Sequence, residues 1–111
     1  MKQYTTPEQT AKLIKLGLPK PRYYSEDKYF IIHVGFEVIN YSIGELIEML
    51  QKRVYQIEDS GIPCDLNIHY DGGTWLIVFI SERDGRFKTE MFELIDALYL
   101  MLVKLKEAEV I

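Results

Sequence analysis

The stretch Cys64-Asp65-Leu66-Asn67-Ile68-His69-Tyr70-Asp71-Gly72-Gly73-Thr74-Trp75-Leu76-Ile77-Val78-Phe79-Ile80 decides the fold. Its first half alternates: Cys64, Leu66, Ile68 and Tyr70 point one way, while Asp65, Asn67, His69 and Asp71 point the other, the pattern of a half-buried strand. Asp71-Gly72-Gly73-Thr74 is a tight hairpin signal, because both glycines tolerate positive φ. A two-residue loop fixes the register, placing Tyr70 opposite Trp75, Ile68 opposite Ile77 and Leu66 opposite Phe79. The returning strand, Trp75 to Ile80, is apolar on both faces and is therefore expected to be central, covered on both sides or by a partner.

Outward from the hairpin, Glu82-Arg83-Asp84-Gly85 reads as a second turn into a short strand, Arg86-Phe87-Lys88. Thr89 then caps a last helix from Glu90 to about Ala108. Its main stripe is Met91, Leu94, Ile95, Leu98, Leu102 and Leu105, and Phe92, Tyr99, Met101 and Val103 widen the apolar arc beyond what one sheet face needs. Only Glu93, Asp96, Lys104 and Glu107 give that helix a polar ribbon.

Upstream, Ser42-Ile43-Gly44-Glu45 is a capping box. The helix it opens carries Ile43, Leu46, Ile47, Leu50, Val54 and Ile57 on one stripe, with Glu45, Glu48, Lys52 and Gln56 opposite, and stops at Gly61-Ile62-Pro63. Thr6-Pro7-Glu8-Gln9 opens the first helix in the same way, with Ala11, Leu13, Ile14 and Leu18 inward, Lys12 and Lys15 outward, and Gly17-Leu18-Pro19 as its end. Lys20 to Lys28 reads as a connector rich in Tyr. Tyr29 to Val34 reads as a strand that continues in extended form from Phe36 to Ile39. The expected class is α+β: an antiparallel meander of three to five strands, with N-terminal, middle and C-terminal helices packed mainly on one face.

A chain of 111 residues suits a single domain over 1–111, with 1–5 and 109–111 expected to fray. Cys64 is its one cysteine, so no internal disulfide can form, which favours a reducing compartment. Met1 to Pro7 lacks the apolar core of a signal peptide, and no apolar run approaches the ~20 residues of a membrane span, so the cytoplasm is expected. The net charge of −4 is uneven: residues 1–24 hold Lys2, Lys12, Lys15, Lys20 and Arg22 against Glu8 alone, a net of +4, leaving −8 for the remainder. An acidic body repels nucleic-acid phosphates, whereas the basic head suits an anionic partner or the body itself.

Three segments carry a resemblance: Thr6 to Gln9, Tyr41 to Leu50 (Tyr-Ser-Ile-Gly-Glu-Leu-Ile-Glu-Met-Leu) and Leu94 to Tyr99 (Leu-Ile-Asp-Ala-Leu-Tyr). With them the chain resembles a family of short uncharacterised proteins of gut Bacteroides species and their phages or mobile elements. These segments are caps and core stripes, so the resemblance implies a source and a fold but no catalytic residue.

Chemistry has few candidates. In the polar column Asp65, Asn67, His69, Asp71, alternate residues lie roughly 6.5–7 Å apart, so His69 with Asp71 (or with Asp65 further along) is the start of a metal or proton-sharing site, though the sequence nominates no further ligand with suitable geometry. The plainer reading is a solvated strand face. His33 in its apolar strand reads as a core histidine, and whether it meets His69 depends on a register the sequence does not fix. Cys64 alternates inward and reads as an inert core thiol. Gly72-Gly73 lacks the Gly-Lys-Ser/Thr and the following helix of a phosphate loop. The balance favours a protein that is not an enzyme and needs no cofactor. Tyr23, Tyr24, Tyr29 and Phe30, beside Lys20 and Arg22, form the best binding feature, of a kind that suits protein interfaces and single-stranded nucleic acid alike. Three functions stand open: a small interaction or adaptor protein that binds a protein partner or itself; a nucleic-acid accessory factor using the basic head; and a metalloprotein or enzyme using His69 with Asp65 or Asp71.

Overall fold

The hairpin closes as its sequence dictates. In this computed structural model, which describes residues 2–21 and 40–111, strands β1 (Cys64–Asp71) and β2 (Thr74–Ser81) pair antiparallel. Tyr70 lies opposite Trp75, Ile68 opposite Ile77 and Leu66 opposite Phe79. Gly72 and Gly73 take φ of 62° and 92°, the double positive φ that matches the turn to the strands' right-handed twist. Gly85, at φ 96°, opens β3 (Gly85–Met91) after a turn held by Ser81, whose hydroxyl accepts from the Asp84 N–H at 3.3 Å. The sheet order is β1-β2-β3, so β2 is central.

Among the described residues, three helices complete the α+β fold: α1 (Pro7–Lys15), α2 (Ile43–Asp59) and α3 (Leu94–Glu107). Both capping boxes form. Thr6 Oγ1 accepts from the Gln9 N–H at 3.1 Å while Gln9 Oε1 accepts from the Thr6 N–H at 3.0 Å, and Ser42 and Glu45 repeat the exchange. All three helices end in one motif. The N–H groups of Gly17 and Leu18, Gly61 and Ile62, and Glu109 and Val110 fold back onto the last-turn carbonyls of Ile14 and Leu13, Glu58 and Ile57, and Lys106 and Leu105. Glycine supplies the left-handed residue twice; Glu109, at φ 60°, supplies it at the end of α3.

Helix α3 is the hub. It packs on β3 and β2 from one side and on α2 and α1 from the others, and Ile95, Ala97, Leu98, Met101, Leu102 and Leu105 are all fully buried. Most of its wide apolar arc is thus met within the chain, with Tyr99 and Val103 half-buried. Helix α2 lies over β1.

Several expectations need correction. Residues 89–91 are strand, not helix: Thr89, Glu90 and Met91 continue the ladder opposite Ile77, Leu76 and Trp75. A central eight-residue strand leaves backbone groups to be paired along both its edges, and that demand outweighs the cap-like look of Thr89. Thr89 still touches the helix, donating its buried hydroxyl to the Ala97 carbonyl at 2.9 Å, while Glu93 is the N-cap without a side-chain cap bond. Met91 therefore lies outside α3, as does Phe92, which is 81% exposed. Ala11 faces solvent, and α1 buries Thr10 beside the expected Leu13. Residues near both ends make contacts with the body of the fold. Tyr4 bridges to Ser42, Lys2 Nζ pairs with Asp96 at 3.1 Å, and Val110 is 2% exposed in the core.

A buried polar chain threads the N-terminal segment. The Tyr41 N–H donates to Thr5 Oγ1 at 3.0 Å, and the Thr5 hydroxyl lies 2.7 Å from that of Thr10, which donates to Asn40 Oδ1 at 2.6 Å. The chain ties residues 5 and 10 to residues 40 and 41, a long-range link that nothing local announces.

Candidate docking face

Because β-strand side chains alternate, the sheet has two faces. One carries Leu66, Ile68, Ile77, Phe79 and Phe87, which join the helices in the core. The other carries three rows read across β1, β2 and β3: Asp65, Ile80, Arg86; Asn67, Val78, Lys88; and His69, Leu76, Glu90. Down the middle runs an apolar stripe in which Leu76 is half-buried, Val78 is 6% exposed and Ile80 is 41% exposed. None of the three belongs to the core cluster. The flanking residues Asp65, Asn67, His69, Asp71, Arg86, Lys88 and Glu90 are all exposed. Among the described residues, the helices packed on the sheet all lie against its other face.

The flanks differ in charge. The β1 column holds two carboxylates, one amide and one imidazole; the β3 column holds two cations and one carboxylate. Local bonds order both edges. Asp65 Oδ2 accepts from Asn67 Nδ2 at 3.3 Å, Glu90 Oε1 accepts from the Thr74 hydroxyl at 2.8 Å, and Lys88 Nζ lies 3.9 Å from Glu90 Oε2. The result is a surface apolar along its axis and oppositely charged along its sides.

The residues singled out for metal or proton chemistry sit within this face. Asp65, His69 and Asp71 are all on β1, exposed, in successive or alternate rows, and the described residues contain no group of three or more His, Cys, Asp or Glu placed to hold one metal ion. Cys64 packs against the core edge, and burial, reinforced by the Glu58 charge, pushes its thiol above the ordinary value, away from the reactive thiolate. Of the binding feature around the connector, Lys20 is exposed; Arg22, Tyr23, Tyr24, Tyr29 and Phe30 lie outside the described residues, as do His33 and the strand read over 29–39. Lys12 and Lys15 are exposed on α1, while Lys2 turns back onto the body at Asp96, with its backbone N–H on Glu93. No described helix is long and apolar enough to cross a membrane.

Sequence reasoning found the acidic column but missed the basic one. The signal was present in Arg86 and Lys88, one strand further on, and only the β2–β3 register sets them across from Asp65 and Asn67. Comparison with family models, with curated proteins and with solved structures finds no match to the chain.

Proposed function

We propose that this chain is a small, non-enzymatic interaction protein that binds a protein partner through the outer face of its sheet, in the service of the phage or mobile element that its sequence resemblance implies. The observation that carries the reading is the Leu76–Val78–Ile80 stripe, set in the central strand outside the helix-packed cluster, between two columns of exposed charge. An apolar centre with a polar rim is the anatomy of a protein interface. The side chains able to do acid–base or metal chemistry stand on the same solvated strand, which suits recognition better than turnover.

The test is affinity capture from extract of the native host, with three baits compared: wild type, Ile80→Glu, and the pair Lys12→Glu with Lys15→Glu. A protein retained by wild type and by the lysine variant, but lost with Ile80→Glu, is the expected result. Retained protein indifferent to Ile80→Glu would end the reading. Nucleic acid retained only while Lys12 and Lys15 are present would move the function to the basic head.

A further inference from the structure

We infer that Asp71 is a site of spontaneous backbone modification: its exposed carboxyl group, set beside the Gly72 amide at the tip of the β1–β2 hairpin, closes to a succinimide and reopens as isoaspartate. This chemistry is independent of the docking reading above. An aspartyl carboxyl group lies one methylene from the main chain, so the amide nitrogen of the next residue reaches its Cγ in a five-membered ring. The N–Cγ bond forms as the carboxyl hydroxyl and the amide proton depart together as water. Solvent water then opens the ring at either carbonyl. Opening at Cγ restores aspartate; opening at the main-chain carbon leaves the chain running through Cβ and Cγ and frees the former main-chain carbonyl as a carboxylate. One water leaves and one returns, and nothing is oxidised or reduced. A following glycine favours closure, because no Cβ crowds the attacking nitrogen.

The chain has two Asp-Gly steps, Asp71-Gly72 and Asp84-Gly85, and the fold treats them differently. Asp71, Gly72 and Gly73 are all exposed, and no neighbour lies within 4 Å of where a Gly72 Cβ would stand. The ladder closes at Asp71 with Thr74, so Gly72 lies outside it in the turn. The Thr74 hydroxyl donates to the Asp71 main-chain carbonyl at 3.1 Å and leaves the side-chain carboxylate unbonded among the described residues. Asp84 is held instead. Its carboxylate accepts from Arg83 Nε at 3.1 Å, from Arg83 Nη2 at 3.0 Å and from the Ser81 hydroxyl at 3.1 Å, while its own N–H donates to Ser81 Oγ at 3.3 Å. Gly85 is already paired in the ladder opposite Ser81. The Arg83 bonds, with that from Ser81, hold the Asp84 carboxyl below its ordinary value, in the ionised form that cannot lose hydroxide.

Ring closure requires the Asp71–Thr74 pair to swing open, a local motion of the kind that exposed turn ends undergo without global unfolding. The product cannot close the same turn. The loop Gly72-Gly73 fits its strands through two positive φ values, and an isoaspartyl link places one more carbon in the main chain at the closing pair. It also removes the main-chain carbonyl that Thr74 binds, at a hydroxyl that donates to Glu90 Oε1 as well. Modification at one atom therefore loosens the tip of all three strands.

The experiment holds the purified full chain for weeks at physiological temperature and near-neutral pH, folded in one arm and unfolded in urea in the other. Peptide mapping with electron-transfer fragmentation reads isoaspartate at each step. In urea both steps isomerise at comparable rates, which sets the reactivity of the bare sequence. In the folded chain Asp71 isomerises at least about tenfold faster than Asp84, the factor expected when one site must first break a charge-assisted hydrogen bond and the other need not. Asp71→Glu removes the signal at residue 71, because a glutamyl side chain would have to close a larger ring; the position is exposed, and circular dichroism checks that the fold is kept. Isoaspartate at residue 71 that forms only in urea, or that forms no faster than at residue 84 in the folded chain, would overturn the inference.

Discussion

On the covered face of the sheet, Ile77 and Phe79 are fully buried beneath α3 and its neighbours; one residue along the same strand, Val78, only 6% exposed, and Ile80, 41% exposed, lie on the other face and outside that cluster. Both pairs are aliphatic or aromatic, both lie on the central strand, and both share the same two neighbouring strands. What separates them is which side the helices took. An alternating strand such as β1 has a polar side that needs no cover, whereas β2 presents apolar groups both ways and is satisfied on one side only by the described helices. The chain's own α3 covers the inner face with Ile95, Leu98 and Leu102 fully buried, while Tyr99 and Val103 stay half-buried. The outer stripe is what remains.

The largest expected effect breaks or upholds this contrast directly. Phe79→Ala opens a cavity under α3 and is expected to lower unfolding free energy by about 3–5 kcal/mol, while Ile80→Ala, measured in dilute solution, changes it by less than about 1 kcal/mol. Urea unfolding of both variants decides. Comparable losses at the two positions would mean that the outer face is as much a core as the inner one.

A smaller effect tests the same alternation with polar residues. Thr89 points inward and donates to the Ala97 carbonyl, tying β3 to the first turn of α3; Glu90 points outward. Thr89→Ala is expected to cost about 1–2 kcal/mol and Glu90→Ala within about 0.5 kcal/mol. Equal costs would show that the hydroxyl contact with the helix contributes nothing.

Those two residues also show where sequence reading succeeds and where it stops. The β1–β2 register, both capping boxes and the two glycine-terminated helices were legible because each is set by residues within a few positions of one another: Gly72 and Gly73 for the hairpin, Thr6 with Gln9, Ser42 with Glu45, Gly17 and Gly61. Thr89 misled because its local appearance as a cap competes with a non-local ladder to β2. The Thr5–Thr10–Asn40 chain and the facing of Asp65 with Arg86 across the sheet were out of reach for the same reason: tertiary structure alone brings those groups together. The site was half visible, as an acidic column without its basic counterpart.

The cover itself is open to improvement at one position. Glu109 takes the left-handed conformation that glycine occupies at the ends of α1 and α2, and its chain direction turns Val110 into the core. Replacing Glu109 with Gly relieves a steric penalty at some entropic cost in the unfolded state, for a net gain of about 0.5–1 kcal/mol. A higher urea midpoint at unchanged slope is the expected result, and a lower one would mean that the Glu side chain contributes more than its backbone costs.

The smallest effect comes from the edge of the covered face, at Cys64. Burial, and then the nearby Glu58 carboxylate, raise its folded-state pKa above the ordinary thiol value, so the fold favours the protonated form. A raised value contributes stability that is whole at pH 7, below the unfolded-state pKa of about 8.5, and that drains away as pH climbs through the folded-state value. Unfolding of wild type and Cys64→Ala, compared at pH 7 and pH 10, isolates the thiol from the tyrosines and lysines that titrate in both proteins. Wild type should lose more stability over that interval than the variant. Parallel losses would place Cys64 in water like its neighbour Asp65, and the boundary between the two faces would then lie one residue further into the sheet.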